Sequence, residues 1–394
     1  MGTASVANRT DDPCAAMVNP AQLGMMSQTN FFSSGYNSSD WLPSFQITDL
    51  KYSTYAVNAG ISLDRIFEHA PPVSIGIGYS RVHLNLGTFI LVSEMGPDEI
   101  GRYDAWESSD QYSLGVGYDF GINVSAGITV KYVHSNLAPL HPGGIAVPQE
   151  SPTIWMPNLN QFGKATLYDY GLLVSVPIVK IVSGISNESF DIGPGVAPYA
   201  DMTFGLSRSN LGQASISYQF TPQGDLLPRT ARTGLGFDMG LRVNRGDLLW
   251  TPLSFKWTIE ASDLLIDNQR QYQSGIGDIN FFDEVVLGKT NAETMKGKGW
   301  EVNFMEIGAI RRGVFVEDPH HGDRHFTSWG WGIKFSGIPR LLRVLDVPIP
   351  TTGAIGFIIN HIDISYNRSE WSTSDRSSPL DGTIFNSINL RIMN

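Results

Sequence analysis

The chain has 394 residues, a net charge of −11 and one cysteine, Cys14. The acidic balance, with no basic clustering, excludes a nucleic-acid binder, and a lone cysteine excludes a disulfide framework or a Cys-based metal site. Charged residues make up 16 %, well below the ~25 % of soluble domains, and no apolar run reaches the ~18 residues of a membrane helix, so a membrane location would require strands.

Residues 1–29 do not alternate. Asp11-Asp12-Pro13 is a polar turn, and Ala15 to Met26 is small, apolar and interrupted by Pro20. The composition predicts a compact segment with one short helix near Pro20 to Met25. Residues 1–20 hold no apolar stretch of signal-peptide type, so an exported chain is expected to begin upstream of Met1.

From Asn30 onward the pattern has period two. Tyr55, Val57, Ala59 and Ile61 alternate with Ala56, Asn58, Gly60 and Ser62, and Val73, Ile75, Ile77 and Tyr79 oppose Ser74, Gly76, Gly78 and Ser80. The clearest hairpin runs from Tyr112 to His134. Tyr112, Leu114, Val116, Tyr118 and Phe120 share one face, and Val124, Ala126, Ile128, Val130 and Tyr132 continue it after the turn Gly121-Ile122-Asn123. Alternation of this kind means strands. The opposite faces are small or charged, and carry Asp119, Lys131, Asp169, Arg232, Asp238, Lys256, Glu260, Lys334 and Asp363. In a sandwich core each unpaired charge would cost several kcal/mol; a wet lumen removes that cost. A soluble sandwich with this face in solvent remains the competing architecture, and the number and length of the strands favour a transmembrane barrel.

Connections alternate in length. Short ones include 121–123, 245–250 and 306–308; long ones include 85–110, 136–165, 209–229, 267–298 and 368–382. Outer-membrane barrels have short periplasmic turns and long external loops. That rule gives fourteen strands, near 30–36, 50–64, 73–84, 110–120, 123–135, 166–177, 196–208, 230–244, 251–266, 299–306, 307–317, 325–336, 355–367 and 383–393. Ala214 to Phe220 is then a short external strand, and the periplasmic connections 178–195 and 337–354 are longer than the rule prefers. The predicted fold is an all-β, antiparallel up-and-down barrel over 30–394 in the bacterial outer membrane, with residues 1–29 as a plug.

Several stretches resemble the PorV branch of FadL-type outer-membrane proteins. Met1-Gly2-Thr3-Ala4-Ser5-Val6-Ala7, Asp11-Asp12 and Asn19-Pro20-Ala21-Gln22-Leu23 are similar to its N-terminal signature, and Trp41-Leu42-Pro43 to its W-L-P. Leu227-Pro228-Arg229 through Gly234-Leu235, Ala309-Ile310-Arg311-Arg312-Gly313, Phe326 to Phe335 and Ile362-Asp363-Ile364-Ser365-Tyr366 match later segments in order. Gln22 departs from the usual Gly, and Cys14 from the usual Ser or Ala. The resemblance implies a fourteen-stranded barrel plugged by Asn19, Pro20, Ala21 and Leu23. It also implies a role in type IX secretion: receiving exported cargo proteins by their C-terminal signals and passing them from a large translocon barrel to the surface-attachment machinery. FadL-type relatives instead pass hydrophobic small molecules, and a structural subunit of a larger complex is a third reading. Membrane lipid and lipopolysaccharide are expected partners; no enzyme activity or cofactor is.

Three features stand apart. Asp318-Pro319-His320-His321-Gly322-Asp323-Arg324-His325 is dense in possible cation ligands, but its spacing matches no known site and it reads as a solvated loop. Trp41, Leu42 and Pro43 are candidates for a partner contact or an aromatic girdle. Arg312 falls on the apolar face near mid-span, which predicts a β-bulge that turns it inward or a protein contact that covers it.

Overall fold

The computed structural model describes residues 1–43, 49–92, 99–137, 162–186, 190–193, 195–218, 225–245, 248–266, 272–317, 322–350 and 352–393. Strands β1 to β7 are Phe31–Asp40, Lys51–Ser62, Val73–Val92, Glu99–Asp119, Asn123–Asn136, Gly163–Pro177 and Val196–Gly212. Two short strands follow, β8 Ser215–Tyr218 and β9 Asp225–Leu226. Strands β10 to β16 are Thr230–Arg245, Leu248–Leu264, Met295–Phe304, Gly308–Val316, His325–Lys334, Ile362–Ser372 and Ile384–Met393. Consecutive long strands pair antiparallel, β7 pairs with β10, and β1 pairs with β16, which closes the ring. With β8 and β9 outside it, the sixteen-stranded sheet is a closed barrel of fourteen spanning strands.

Closure leaves no open edge, so every backbone group of the wall can pair without water. Outward residues form an apolar belt: Ile77, Tyr112, Leu114, Val116, Ile128, Tyr168, Trp329 and Ile388 are all well exposed. Their inward neighbours Ser74, Ser113, Thr129 and Ser175 are buried. A closed antiparallel barrel with such a belt is an outer-membrane protein.

Three features differ from the expected strands. The β3–β4 hairpin continues to Val92 and Glu99, where a loop over 85–110 was expected. Above the membrane both faces of a strand can be polar, so alternation fades while pairing persists. The long periplasmic connections hold helices α2 Ile178–Ser186, α3 Gly337–Val344 and α4 Gly353–His361. The predicted strand 355–367 therefore begins only at Ile362, whose partner is Ile392 near the end of β16. Below that level no neighbouring strand remains among the described residues, and the backbone satisfies its groups within a helix instead.

The third difference is Arg312. Pairing is regular there, with Trp300 on one side and Trp329 on the other, so no bulge turns it inward. Its side chain is exposed on the outer wall. An outward Arg costs ~2–4 kcal/mol at the bilayer midplane and ~0–1 near an interface, so the position needs an anionic partner or a route to the headgroups.

Candidate functional site

Residues 1–29 lie inside the barrel. A short 3-10 helix, Pro13–Met17, and helix α1, Gln22–Met26, carry the segment across the lumen. Asn19 and Leu23 are fully buried, and Ala21 packs with Met25 and Leu173. Asn19 Nδ2 donates to Val6 O at 2.9 Å and to Leu172 O on β6 at 3.1 Å, while its Oδ1 accepts from the Ala21 amide. Ser125 Oγ donates to Ala21 O at 2.6 Å, Ser74 Oγ to Gly24 O at 2.7 Å, and Asn58 Nδ2 to Pro13 O at 2.8 Å. Pro20 meets Gly127, four residues above the periplasmic turn, so this part of the segment sits in the periplasmic half.

The inward glycines are what admit the backbone of this segment. A Cβ on Gly127 would overlap the Pro20 carbonyl, one on Gly115 the Gly24 amide, and one on Gly313 the Gly2 amide. Gln22 is fully buried and donates to Asn8 O at 2.8 Å.

The lumen charges pair between neighbouring strands rather than across the lumen. Lys131 Nζ is 2.6 Å from Asp169, Arg232 3.1 Å from Glu260, Lys256 3.7 Å from Asp238 and Lys334 2.7 Å from Asp363. Asp119 stays outside that set: it accepts from the Gly121 amide at the periplasmic turn. The plug adds partners of its own. Ser5 and Val6 amides donate to Glu260 Oε2 at 2.7 and 2.8 Å, and Lys256 Nζ donates to Arg9 O at 3.0 Å. The pairs Arg311–Glu301 and Arg391–Asp11 were missed by the sequence reading. Arg311 sits beside an outward Arg312, and only an undisturbed register tells which of the two faces in.

Cys14 is buried in the plug, 3.6 Å from Thr54 Oγ1. Burial, with Asp12 nearby, pushes its thiol up to about 12. Thiols react as thiolates, so Cys14 should resist alkylation at pH 8 in the folded barrel and label only after denaturation. Rapid labelling of the folded protein would show that the plug leaves the lumen.

Beside the plug runs a cavity of about 1020 Å³. Asp238, Lys256, Glu301, Arg311, Lys334 and Asp363 line it together with apolar residues such as Ala4, Val18 and Ala309, so charges stud an otherwise mixed wall. At its external end the inward face turns aromatic. Phe315 stacks on Phe326 at 5.0 Å and Phe326 on Trp371 at 4.1 Å. Trp371 lies 4.8 Å from Phe385, and Trp41 reaches Trp371, Phe385 and Tyr52 at 5.9, 6.3 and 5.9 Å. Phe385 and Tyr52 also line the cavity. The structure thus places Trp41 in an inner arc of rings, with Leu42 and Pro43 following it at the rim. Register parity at the external strand ends was the available signal for this arc.

On the opposite side the β8–β9 hairpin folds into the mouth. Ile216, Tyr218 and Leu227 pack on Val133, Ala165 and Leu167, and Tyr218 Oη lies 2.8 Å from Ser135 Oγ. Of the candidate cation loop, 318–321 lie outside the described residues; His325 Nε2 is 2.9 Å from Asp323, and Glu317 binds Arg324.

No protein-family model and no curated protein matches the chain. Among solved structures it is similar to the toluene transporter TbuX of Ralstonia pickettii, at 10 % identity over 100 % of this chain and 96 % of that one, with a TM-score of 0.44. The Pseudomonas putida toluene transporter TodX gives 10 % identity, 100 % and 95 % coverage and a TM-score of 0.44. A FadL homologue of Pseudomonas aeruginosa gives 10 % identity, 99 % and 96 % coverage and a TM-score of 0.37. The fold assignment rests on the strand pairing itself.

Proposed function

We propose that this outer-membrane barrel binds apolar small molecules at its external mouth and passes them inward, as a FadL-type channel does. The observation that carries the reading is the aromatic arc of Trp41, Tyr52, Trp371 and Phe385 opening onto the cavity. Aromatic faces at the edge of a cavity take up flat or aliphatic molecules by area burial and ring contacts. The test is a titration of the purified barrel with toluene and with a fatty acid, read by tryptophan fluorescence. Trp371→Ala should weaken binding about tenfold, which is ~1.4 kcal/mol. Equal affinity in wild type and variant, or no saturable binding, would remove the arc as the site.

A second reading has its own support. The lumen carries ion pairs such as Arg311–Glu301 and is occupied by a segment bonded to its wall, which is a poor path for apolar molecules. A barrel of that kind suits the type IX role, in which exported proteins are received on the outside and handed on without crossing this lumen. Purification from native membrane in mild detergent separates the readings. A large translocon barrel or cargo protein in the complex favours secretion; a bound apolar molecule without such partners favours uptake.

A further inference from the structure

The segment between β11 and β12 turns back along the outside of the barrel. Ile279 and Val285 bury against Ala231, Ile259 and Ala261, which all point outward from β10 and β11. Phe281 meets Phe204 of β7 edge-on at 5.4 Å, and the Asp278 amide donates to Asp263 at 2.7 Å. A turn of π-helix, Phe281–Val286, holds this strap on the wall. Its opposite face leaves Phe282 62 % exposed, with Val286 and Leu287 about half exposed.

Cations border that apolar face. Lys296 of β12 donates to the carbonyls of Gly288 and Lys289, directly after Leu287. Lys298, the next outward residue of β12, is exposed. On β13 its cross-strand partner is Val314, and Arg312 lies one step further toward the periplasm on the same outer face. Two acids lie near this edge: Asp283 is taken up by Lys289 at 2.6 Å, and Glu284 is buried inside the strap, where it accepts from Thr294 Oγ1 and the Asn280 amide.

We infer that this patch binds a phosphorylated glycolipid of the outer leaflet, of the lipid A type. Its acyl chains lie on Phe282, Val286 and Leu287, and its phosphate is held by Lys296 and Lys298, with Arg312 reaching toward it from below. Two observations select this occupant. The apolar face continues the lipid-facing belt of the barrel, and the cations stand at the external end of the wall, where outer-leaflet phosphates lie. Lys296 spends two of its three N–H groups on backbone carbonyls and keeps one for a ligand. A soluble anion would make no use of the apolar face.

The test uses the full chain in nanodiscs doped with diphosphorylated lipid A or with its dephosphorylated form. Lipid retained after detergent extraction is counted by native mass spectrometry. Wild type should retain the diphosphorylated lipid in preference to the other. The double variant Lys296→Gln/Lys298→Gln should retain about tenfold less of it, and Phe282→Ser/Leu287→Ser should lose both forms. Heat-modifiable migration verifies folding, and Lys298→Gln alone, at an exposed position, serves if the double variant fails to fold. Equal retention of the two lipids, or retention unchanged in the lysine variants, overturns the site. So does a protein recovered in native membrane at this patch and lost in the same variants.

Discussion

Replacing Gly127 by valine should expel the plug and open the lumen. The added side chain would occupy the space of the Pro20 carbonyl, and neither partner can give way. Pro20 is held through Asn19 and Ala21, and Gly127 lies in a strand paired on both sides, to Gly115 and Gly171. Conductance in a planar bilayer is expected to rise on the order of tenfold, because a barrel of this strand number encloses a wet lumen once its filling is removed. Deleting residues 1–26 should produce the same open state. Gly308→Ala, where an added Cβ meets nothing within 4 Å, should leave conductance at the wild-type level. If both the valine variant and the deletion conduct as wild type does, the segment does not obstruct flow.

Glu260→Ala should destabilise the barrel strongly. The carboxylate is 3 % exposed and accepts from the Ser5 amide, the Val6 amide and Arg232. Truncation leaves the two plug amides without an acceptor, while the Arg232 guanidinium, at 32 % exposure, turns to water. Each buried amide left without a partner costs ~1–3 kcal/mol, so the loss should be ~2–4 kcal/mol. Glu260→Gln keeps one oxygen, which can still accept from the Ser5 and Val6 amides, but turns an NH2 donor toward Arg232 and loses the charge, so its cost should be smaller, nearer ~1–2 kcal/mol, about what the lost charge-assisted bond is worth. Urea unfolding of the refolded barrel in detergent measures both. An alanine variant as stable as wild type would mean that the plug is not anchored through this residue.

Much of the barrel was legible in the order of residues. The hairpin Tyr112 to His134 declares its two faces, and the same parity places Lys131, Asp169, Arg232, Asp238, Lys256, Glu260, Lys334 and Asp363 on the inner wall. Helix α4 was not legible, since Ile355 and Phe357 alternate like a strand while no strand remains at that depth to pair with them. Arg311 and Arg312 were ambiguous for a related reason: a one-residue bulge would exchange their faces, and only the pairing of Trp300 and Trp329 with Arg312 shows that none occurs.

Sequence by itself determined the period, the inner and outer faces, and the alternation of short and long connections, because each depends on residues a few positions apart. Tertiary structure alone decided what lies far apart in the chain. The seam of β1 with β16, the reach of Asn19 to Leu172, the ring stack from Phe315 to Phe385 and the strap of Phe281 on Phe204 join positions separated by tens to hundreds of residues. Local pattern selects the face on which a side chain stands. Which side chains then share that face is settled by strand order, register and closure of the ring.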